Sequence, residues 1–366
     1  MCSHFICIPI TLPFGGANLY VFSSPRTDMK ELLSLAFILL ISCTAASEEI
    51  VIGSTLPITG DLSMYGAALL QGIQMAVDEL NADGIPVKLV ALDNAGDPKK
   101  AITDLYMLDE VNSADGVMTS FEYITLASKH VAEERHLPMI SFTVYRFSQE
   151  DSAEWVFRDF WDMGRVGADF GKVANQQYKT KAAIVGQDDS SFVHFKEAFE
   201  EVFSGEIIST QRFLYGEKDY RSMLALIPAD TDILLFYGFP LESSILLRQA
   251  GELGITLPLL LTEGTEKIVM RGNEEVLRRL QAVSYQSARL SGEKAFIEKY
   301  FALHGYEPRP DVWYAYENTK LLAGIVLQCD KIPSCVQENL SHHFDAQHNK
   351  FRTVPLVAFT DRWRPI

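Results

Sequence analysis

From Ile50 to Gly264 short runs of consecutive apolar residues alternate with longer stretches whose apolar positions recur every three or four residues. The short runs include IVIGS (Ile50–Ser54), VKLVAL (Val87–Leu92), GVMTS (Gly116–Ser120) and LPMISF (Leu137–Phe142). A run that is apolar on both faces suits a strand covered on each side by helices. The stretch between the first two runs, and AITDLYMLDEV after the second, carry the spacing of amphipathic helices. Asp97-Pro98-Lys99 marks a helix start, with aspartate as N-cap and proline at the first helical position. A second series follows: strands KAAIVGQD, EIISTQRF, DILLFYG and PLLLTEG, with helices VHFKEAFEEVF, YRSMLALI and ESSILLRQAGELG between them. This alternation predicts an α/β protein with parallel sheets and helices on both faces.

At 366 residues the chain exceeds one ordinary hydrophobic core and predicts two lobes. A formal charge of −16 opposes nucleic-acid or anionic-membrane binding, which require basic surface. Near the N-terminus, Met29-Lys30 precedes the apolar run Leu32–Ile41, then CTAAS. That run is too short to span a bilayer and fits the core of a secretory signal. Residues 1–47 therefore read as an N-terminal extension plus signal peptide, with Met29 as the initiator. Two cleavage readings stand side by side: Leu40-Ile41-Ser42-Cys43 resembles a lipobox that would lipidate Cys43, and Ala45 with Ser47 suits an ordinary signal peptidase. Either places the mature chain in the periplasm or otherwise outside the cytoplasm. Beyond the signal only Cys329 and Cys335 remain, in QCDKIPSC. In an oxidising compartment a disulfide between them is favoured over a metal site, since two thiols cannot complete tetrahedral zinc. Two reduced thiols are the other reading.

The order Pro57, Thr59, Gly60, Tyr65-Gly66, Gly72, Ala76, Asn81 closely resembles the opening of the leucine/isoleucine/valine-binding family of periplasmic solute-binding proteins. Further anchors are Leu246-Leu247-Arg248-Gln249-Ala250 with Gly254, Thr262-Glu263-Gly264 and Tyr314-Ala315-Tyr316. The resemblance covers essentially everything after the signal. It implies two doubly wound parallel-sheet lobes joined by hinge crossovers, with one lobe formed by 48–160 and 286–344 and the other by 161–285 and 345–366. It also implies a monomer that delivers a small amino acid, amine or amide to an ABC permease, without a cofactor. The alternative output is sensing in trans, through a membrane kinase or chemoreceptor.

The resemblance implies the ligand contacts as well. Glu263 matches the glutamate that accepts a ligand ammonium group. Tyr65 matches an aromatic closing the cleft from the first lobe, and Phe239 one from the second. The expected serine pair of the first lobe falls on Glu122-Tyr123, and the expected Ala-Thr pair on Val144-Tyr145, beside Thr143 and Arg146. An aromatic expected after KAAIVGQD is replaced by Ser191. A register one residue different would make Ser120 or Thr125 the donor. A carboxylate at Glu122 opposes an anionic ligand head and favours a cation, a neutral amide or amine, or pairing with Arg146. Arg158 is read as a brace at the crossover, Asp188-Asp189 as helix caps rather than metal ligands, and Trp155 and Trp161 as packing. His342, His343 and His348 read as part of a solvated loop, NLSHHFDAQHNK, and no metal site is expected. The chain contains no GxSxG elbow, P-loop or GxGxxG after a strand, so an enzyme is not expected.

Overall fold

The structure is a computed structural model that describes residues 6–11, 18–23, 48–148, 153–177, 179–265, 267–285, 294–352 and 356–365. Residues Met1–Glu48 and Glu49–Ile366 are two separate compact units. In the first, strands β1 (Ile6–Thr11) and β2 (Asn18–Ser23) pair antiparallel. Met29, the apolar run of the expected signal and Cys43 lie outside the described residues. Among the described residues no helix is long and apolar enough to cross a membrane.

The second unit contains two sheets. The first uses β3 (Ile50–Leu56), β4 (Val87–Asp93), β5 (Gly116–Ser120), β6 (Met139–Phe142), β7 (Val156–Trp161) and β13 (Asn349–Arg352). Its order is β13-β7-β6-β5-β3-β4, and every pair is parallel. The second uses β8 (Lys181–Gln187), β9 (Glu206–Phe213), β10 (Ile233–Tyr237), β11 (Leu259–Leu261), β12 (Val283–Tyr285), β14 (Leu356–Phe359) and β15 (Trp363–Pro365). Its order is β15-β14-β12-β11-β10-β8-β9, with antiparallel pairing only at β12-β14-β15. The central strands β3, β5, β6, β8 and β10 are buried almost throughout, which is why they read as unbroken apolar runs. In each sheet the strand order reverses beside the first strand of the series, β3 or β8, and such a reversal opens a crevice at the strands' carboxyl ends.

Aspartates at three strand-to-helix turns set the helix starts. Asp97 accepts from Lys99 N at 2.8 Å, Asp162 from Arg165 N at 3.1 Å and Asp189 from Phe192 N at 2.7 Å. The turn after β3 behaves differently. Its Ile58 and Thr59 N–H groups both donate to Asp93 Oδ1, at 2.9 and 3.1 Å, so they tie β3 to β4 instead of facing a ligand.

The chain leaves the first sheet after β7, returns after β12 and leaves again after β13. The sequence reading placed 345–366 wholly in the second lobe, yet Asn349–Arg352 pairs with Arg158–Trp161 of the first sheet. The segment read as one loop is likewise structured at both ends. Helix Pro333–Ser341 buries Val336 and Leu340 at i, i+4 spacing, and β13 begins at Asn349. His348 stacks on Phe157, with ring centroids 4.5 Å apart, and its Nδ1 lies 2.9 Å from Ala153 O.

Helix Ser63–Ala82 lies against helix Pro310–Gln328, and Gly72 sets their distance. A Cβ there would stand 2.1 Å from the Val312 carbonyl oxygen. Glu79 fastens the same helices at their surface. It accepts from Tyr316 Oη at 2.8 Å and from the Lys299 and Lys320 ammonium groups. Burial alone would raise the Glu79 pKa, but these three donors outweigh it and bring the group down to about 2.

Two outcomes are expected. Gly72→Ala should force the helices apart and lower the stability measured by urea unfolding by about 2–3 kcal/mol. Glu79→Gln should lower it by about 1 kcal/mol at pH 7, since both lysines are partly solvated. The folded pKa of Glu79 lies below its unfolded value, so its contribution is complete above about pH 4.5 and disappears as the pH falls through about 2. The gap between wild type and variant should therefore close over that acid window.

Candidate functional site

The carboxyl ends of both sheets converge on one cavity of about 390 Å³, a size typical of small-molecule sites. The strands reach it with their last residues: Ser120 of β5, Phe142 of β6, Trp161 of β7, Gln187 of β8 and Tyr237 of β10. Residues just past the strand ends complete it, among them Thr143, Asp189, Tyr215, Phe239 and Glu263. Strand geometry alone explains the clustering, because parallel strands present their C-terminal residues together on one rim.

Of the residues expected from the sequence, Tyr65, Glu122, Tyr123, Thr143, Ser191, Phe239 and Glu263 line the cavity. Tyr65 is 8% exposed. Its ring meets Phe121 and Phe239 edge-on, with centroids 5.7 and 5.5 Å away, and the Arg309 guanidinium lies 4.9 Å from its centroid. Phe239 belongs to the second sheet's side, so Tyr65–Phe239 spans the cavity. The Ser190 hydroxyl also crosses it, donating to Glu122 Oε1. Tyr123 lies at the edge, half exposed, with its hydroxyl 3.3 Å from Gly96 O. Glu263 lies two residues past the end of β11 and is 7% exposed, while the next residue, Gly264, donates its N–H to Ser284 Oγ at 2.9 Å.

Tyr145 does not join the lining. Thr143 and Val144, just past the end of β6, line the cavity, and Tyr145 lies outside them, stacked on His194 of the second half at 5.1 Å. Arg146 is exposed and likewise outside the lining. Thr125, one alternative donor, is turned into the protein, where its Oγ1 bonds Phe121 O and Ser141 Oγ. Ser120, the other alternative, does line the cavity. Among the described residues Cys329 and Cys335 form a disulfide remote from this lining.

Several lining residues were not anticipated. Trp161, read as packing, forms part of the wall. Among the described residues its Nε1 is buried without a hydrogen-bond partner, as are Ser120 Oγ and Gln187 Oε1. Asp189 caps a helix as expected and also faces the cavity. It accepts from Gln187 Nε2 at 2.8 Å and from the Tyr237 hydroxyl, which also bonds Ser191. Burial raises the Asp189 pKa in spite of these donors, and it drives the Tyr237 phenol well above its ordinary value. Phe121 has φ +66° and ψ +139°, a strained conformation for a bulky side chain. The strain places three consecutive side chains, Phe121, Glu122 and Tyr123, around the cavity. A count of the last residue of each apolar strand would have found Trp161, Gln187 and Tyr237. Nothing in the sequence pattern marks Phe121.

Two sheets whose strand ends enclose an aromatic, acidic cavity define a small-solute binding protein of the α/β class. Residues 49–331 match the periplasmic binding protein family, and the chain belongs to that family, which binds solutes outside the cytoplasm. An amino acid binding protein of Pseudomonas aeruginosa is 25% identical over 301 residues, 76% of this chain and 79% of that one. Leu/Ile/Val-binding protein homolog 1 of Brucella melitensis is 23% identical over 300 residues, 76% of this chain and 78% of its own length. Among solved structures, the branched-chain amino acid transporter substrate-binding protein LivJ of Streptococcus pneumoniae, in complex with isoleucine, superposes with TM-score 0.75 and 21% identity. The match covers 87% of this chain and 99% of LivJ. A solute-binding protein of an ABC transporter from R. palustris, in complex with benzoate, gives TM-score 0.74 at 17% identity and covers 87% and 95% of the two chains. The fold is thus that of the type I periplasmic binding proteins.

Asp189 yields a prediction with a definite sign. Its folded pKa lies above its unfolded one, so its favourable contribution is present at low pH and is lost as the pH rises through the folded value. Asp189→Asn removes the buried charge and keeps a helix-capping oxygen. The Gln187 amide can turn so that its Oε1, now without a partner, accepts from the new amide. The variant should melt higher than wild type at pH 7.5, and the difference should shrink towards pH 4. Differential scanning calorimetry at the two pH values checks this.

Proposed function

We propose that this chain is the solute receptor of an ABC import system, holding an amino acid or a related small amine or amide between two hinged lobes and presenting the closed form to a membrane permease. The first lobe is the first sheet with its helices, including β13. The second comprises β8–β12 with β14 and β15. The observation that carries the reading is the shared cavity, which takes Ser120 and Trp161 from one sheet and Gln187, Tyr237 and Glu263 from the other. A solute held by both rims favours the conformation in which both reach it, which is how a ligand drives closure. Tyr65–Phe239, Glu122–Ser190 and Tyr145–His194 are contacts that opening would break. The named relatives, which include an amino acid binding protein and Leu/Ile/Val-binding protein homologues, support transport as the output.

Glu263 is assigned the ligand's ammonium group. A charge-assisted hydrogen bond is worth about 1.5–3 kcal/mol. Glu263→Gln should accordingly weaken binding by roughly 10- to 150-fold in calorimetric titration. A thermal-shift screen against amino acids, amines, amides and aromatic acids supplies the ligand for that titration. Small-angle scattering should then report a smaller radius of gyration with ligand than without. An unchanged radius with a saturating ligand would refute hinge closure, and an unchanged affinity in the variant would remove Glu263 from the site.

A further inference from the structure

Resting on the reading of two hinged lobes around a solute cleft, we propose that Glu122 is a positioning residue for closure. It latches the rims together through Ser190 and so holds part of the solute-free population closed.

Both ends of the latch sit on rigid backbone, one in each lobe. Glu122 opens helix Glu122–Arg135 just past β5, and Ser190 opens helix Ser190–Val202 just past β8. On the first side the turn is locked. Phe121 donates its N–H to Phe142 O at 3.2 Å, and its own carbonyl accepts from Thr125 N and Oγ1 at 2.9 and 2.8 Å. Its ring packs on Tyr65 and Tyr123, with centroids 5.7 and 6.2 Å away. These contacts hold Phe121 at φ +66°. Strain of this kind persists where the surroundings enforce it, often at switch regions. Here it presents the next side chain, Glu122, to the opposite lobe. On the second side Asp189 caps the helix that Ser190 begins, accepting from Phe192 N at 2.7 Å. Groups held in place beforehand lose little freedom when they meet.

The chemistry favours the pair. Ser190 Oγ donates to Glu122 Oε1, a hydrogen bond to a charged acceptor between residues 68 positions apart. Ser190 stands at the positive end of a 13-residue helix, which attracts a carboxylate brought up from the other lobe. The Glu122 charge reaches further into that lobe. Behind burial and the Asp189 charge, it is among the influences that hold the Tyr237 phenol well above its ordinary pKa. The family resemblance expects serine at this position, and glutamate extends further from the backbone, far enough to meet the opposite rim. Tyr65–Phe239 and Tyr145–His194 join the rims at two other points, with ring centroids 5.5 and 5.1 Å apart. Ring contacts tolerate sliding, whereas the hydrogen bond is directional and fixes one closed geometry. Closure therefore has contacts of its own, apart from any made through a solute. A chain built this way samples its closed form before binding, and a solute then selects it.

The test is double electron–electron resonance on the full chain without added solute. Spin labels are attached at Lys100→Cys and Lys218→Cys, in a background of Cys2→Ser, Cys7→Ser and Cys43→Ser. Lys100 and Lys218 are exposed and follow β4 and β9, the sheet edges opposite the crossover strands β7, β13 and β12, where opening moves the rims most. The labelled chain should show a short and a long distance. Glu122→Ala and Ser190→Ala should each lower the short-to-long ratio by roughly 3- to 10-fold. The double variant should lower it no further, because the two substitutions remove the same bond. Glu122→Gln keeps an acceptor for the Ser190 hydroxyl, so its ratio should stay above that of Glu122→Ala. A merely structural role for Glu122 would not give that rescue together with the shared loss. A ratio that ignores both alanine variants would overturn the proposal. So would a further fall in the double variant, a Glu122→Gln ratio equal to that of Glu122→Ala, or a solute-free chain with the long distance alone. Any of these, together with compaction by a saturating solute in scattering, would leave the importer reading standing while the latch fell.

Discussion

Arg158 fixes the geometry on which both the sheet and the cavity depend. Its guanidinium is wholly buried where β6, β7 and β13 end, donating from Nε to Thr143 O at 2.9 Å and from the terminal nitrogens to Trp161 O and Lys350 O. Burial pulls its pKa down to about 10, while Asp162 and Asp159 favour the charged form, so the cation persists at neutral pH. Only a planar fork of donors can serve several carbonyls of different strands at once, and lysine could not replace it. Two of those carbonyls belong to Thr143 and Trp161, whose side chains line the cavity. The brace at the chain's first departure from the sheet therefore also aims the cavity wall.

The cavity lies where two sheets place their reversals of strand order, and its chemistry follows from that position. Strand ends supply Ser120, Phe142, Trp161, Gln187 and Tyr237, while the loops beyond supply Phe121, Tyr215 and Phe239. Burial in this enclosure raises the Asp189 pKa despite the hydrogen bond from Tyr237, and raises that of the Tyr237 phenol together with the Asp189 charge it faces. In such surroundings each polar group acts more strongly than in water. A few correctly placed polar groups can then determine selectivity against a background of aromatic packing.

The alternation of strands and helices was legible because strands covered on both faces are apolar throughout, and Asp97-Pro98 gave a helix start by chemistry alone. β13 was missed because Asn349–Arg352 is short, polar and at a sheet edge, which gives a strand no apolar signature. In the cavity, residues inside matched motifs, Tyr65, Phe239 and Glu263, could be placed from their neighbours. Where the chain departs from the family pattern, local backbone decided the outcome. Val144, two residues past β6, lines the cavity and leaves Tyr145 outside, and Phe121, at positive φ, turns its successors towards the cavity. Trp161 shows a deeper ambiguity, since an aromatic ending a strand looks the same in sequence whether it fills a core or faces a solute.

The disulfide between Cys329 and Cys335 spans Asp330 and Lys331, consecutive residues with φ +47° and +60°. Two side-chain-bearing residues in the left-handed region are unfavourable by about 1–2 kcal/mol each. Closing a loop this short contributes about 2 kcal/mol, a comparable amount. Lys331 in turn reaches Glu49 O at 2.7 Å, at the start of the compact unit. Chain that matures under reducing conditions would lack the covalent staple at this turn. Material harvested from such a source would then have a looser seam between its opening strand and the end of its longest C-terminal helix, so redox history becomes a hidden variable in any preparation of this protein.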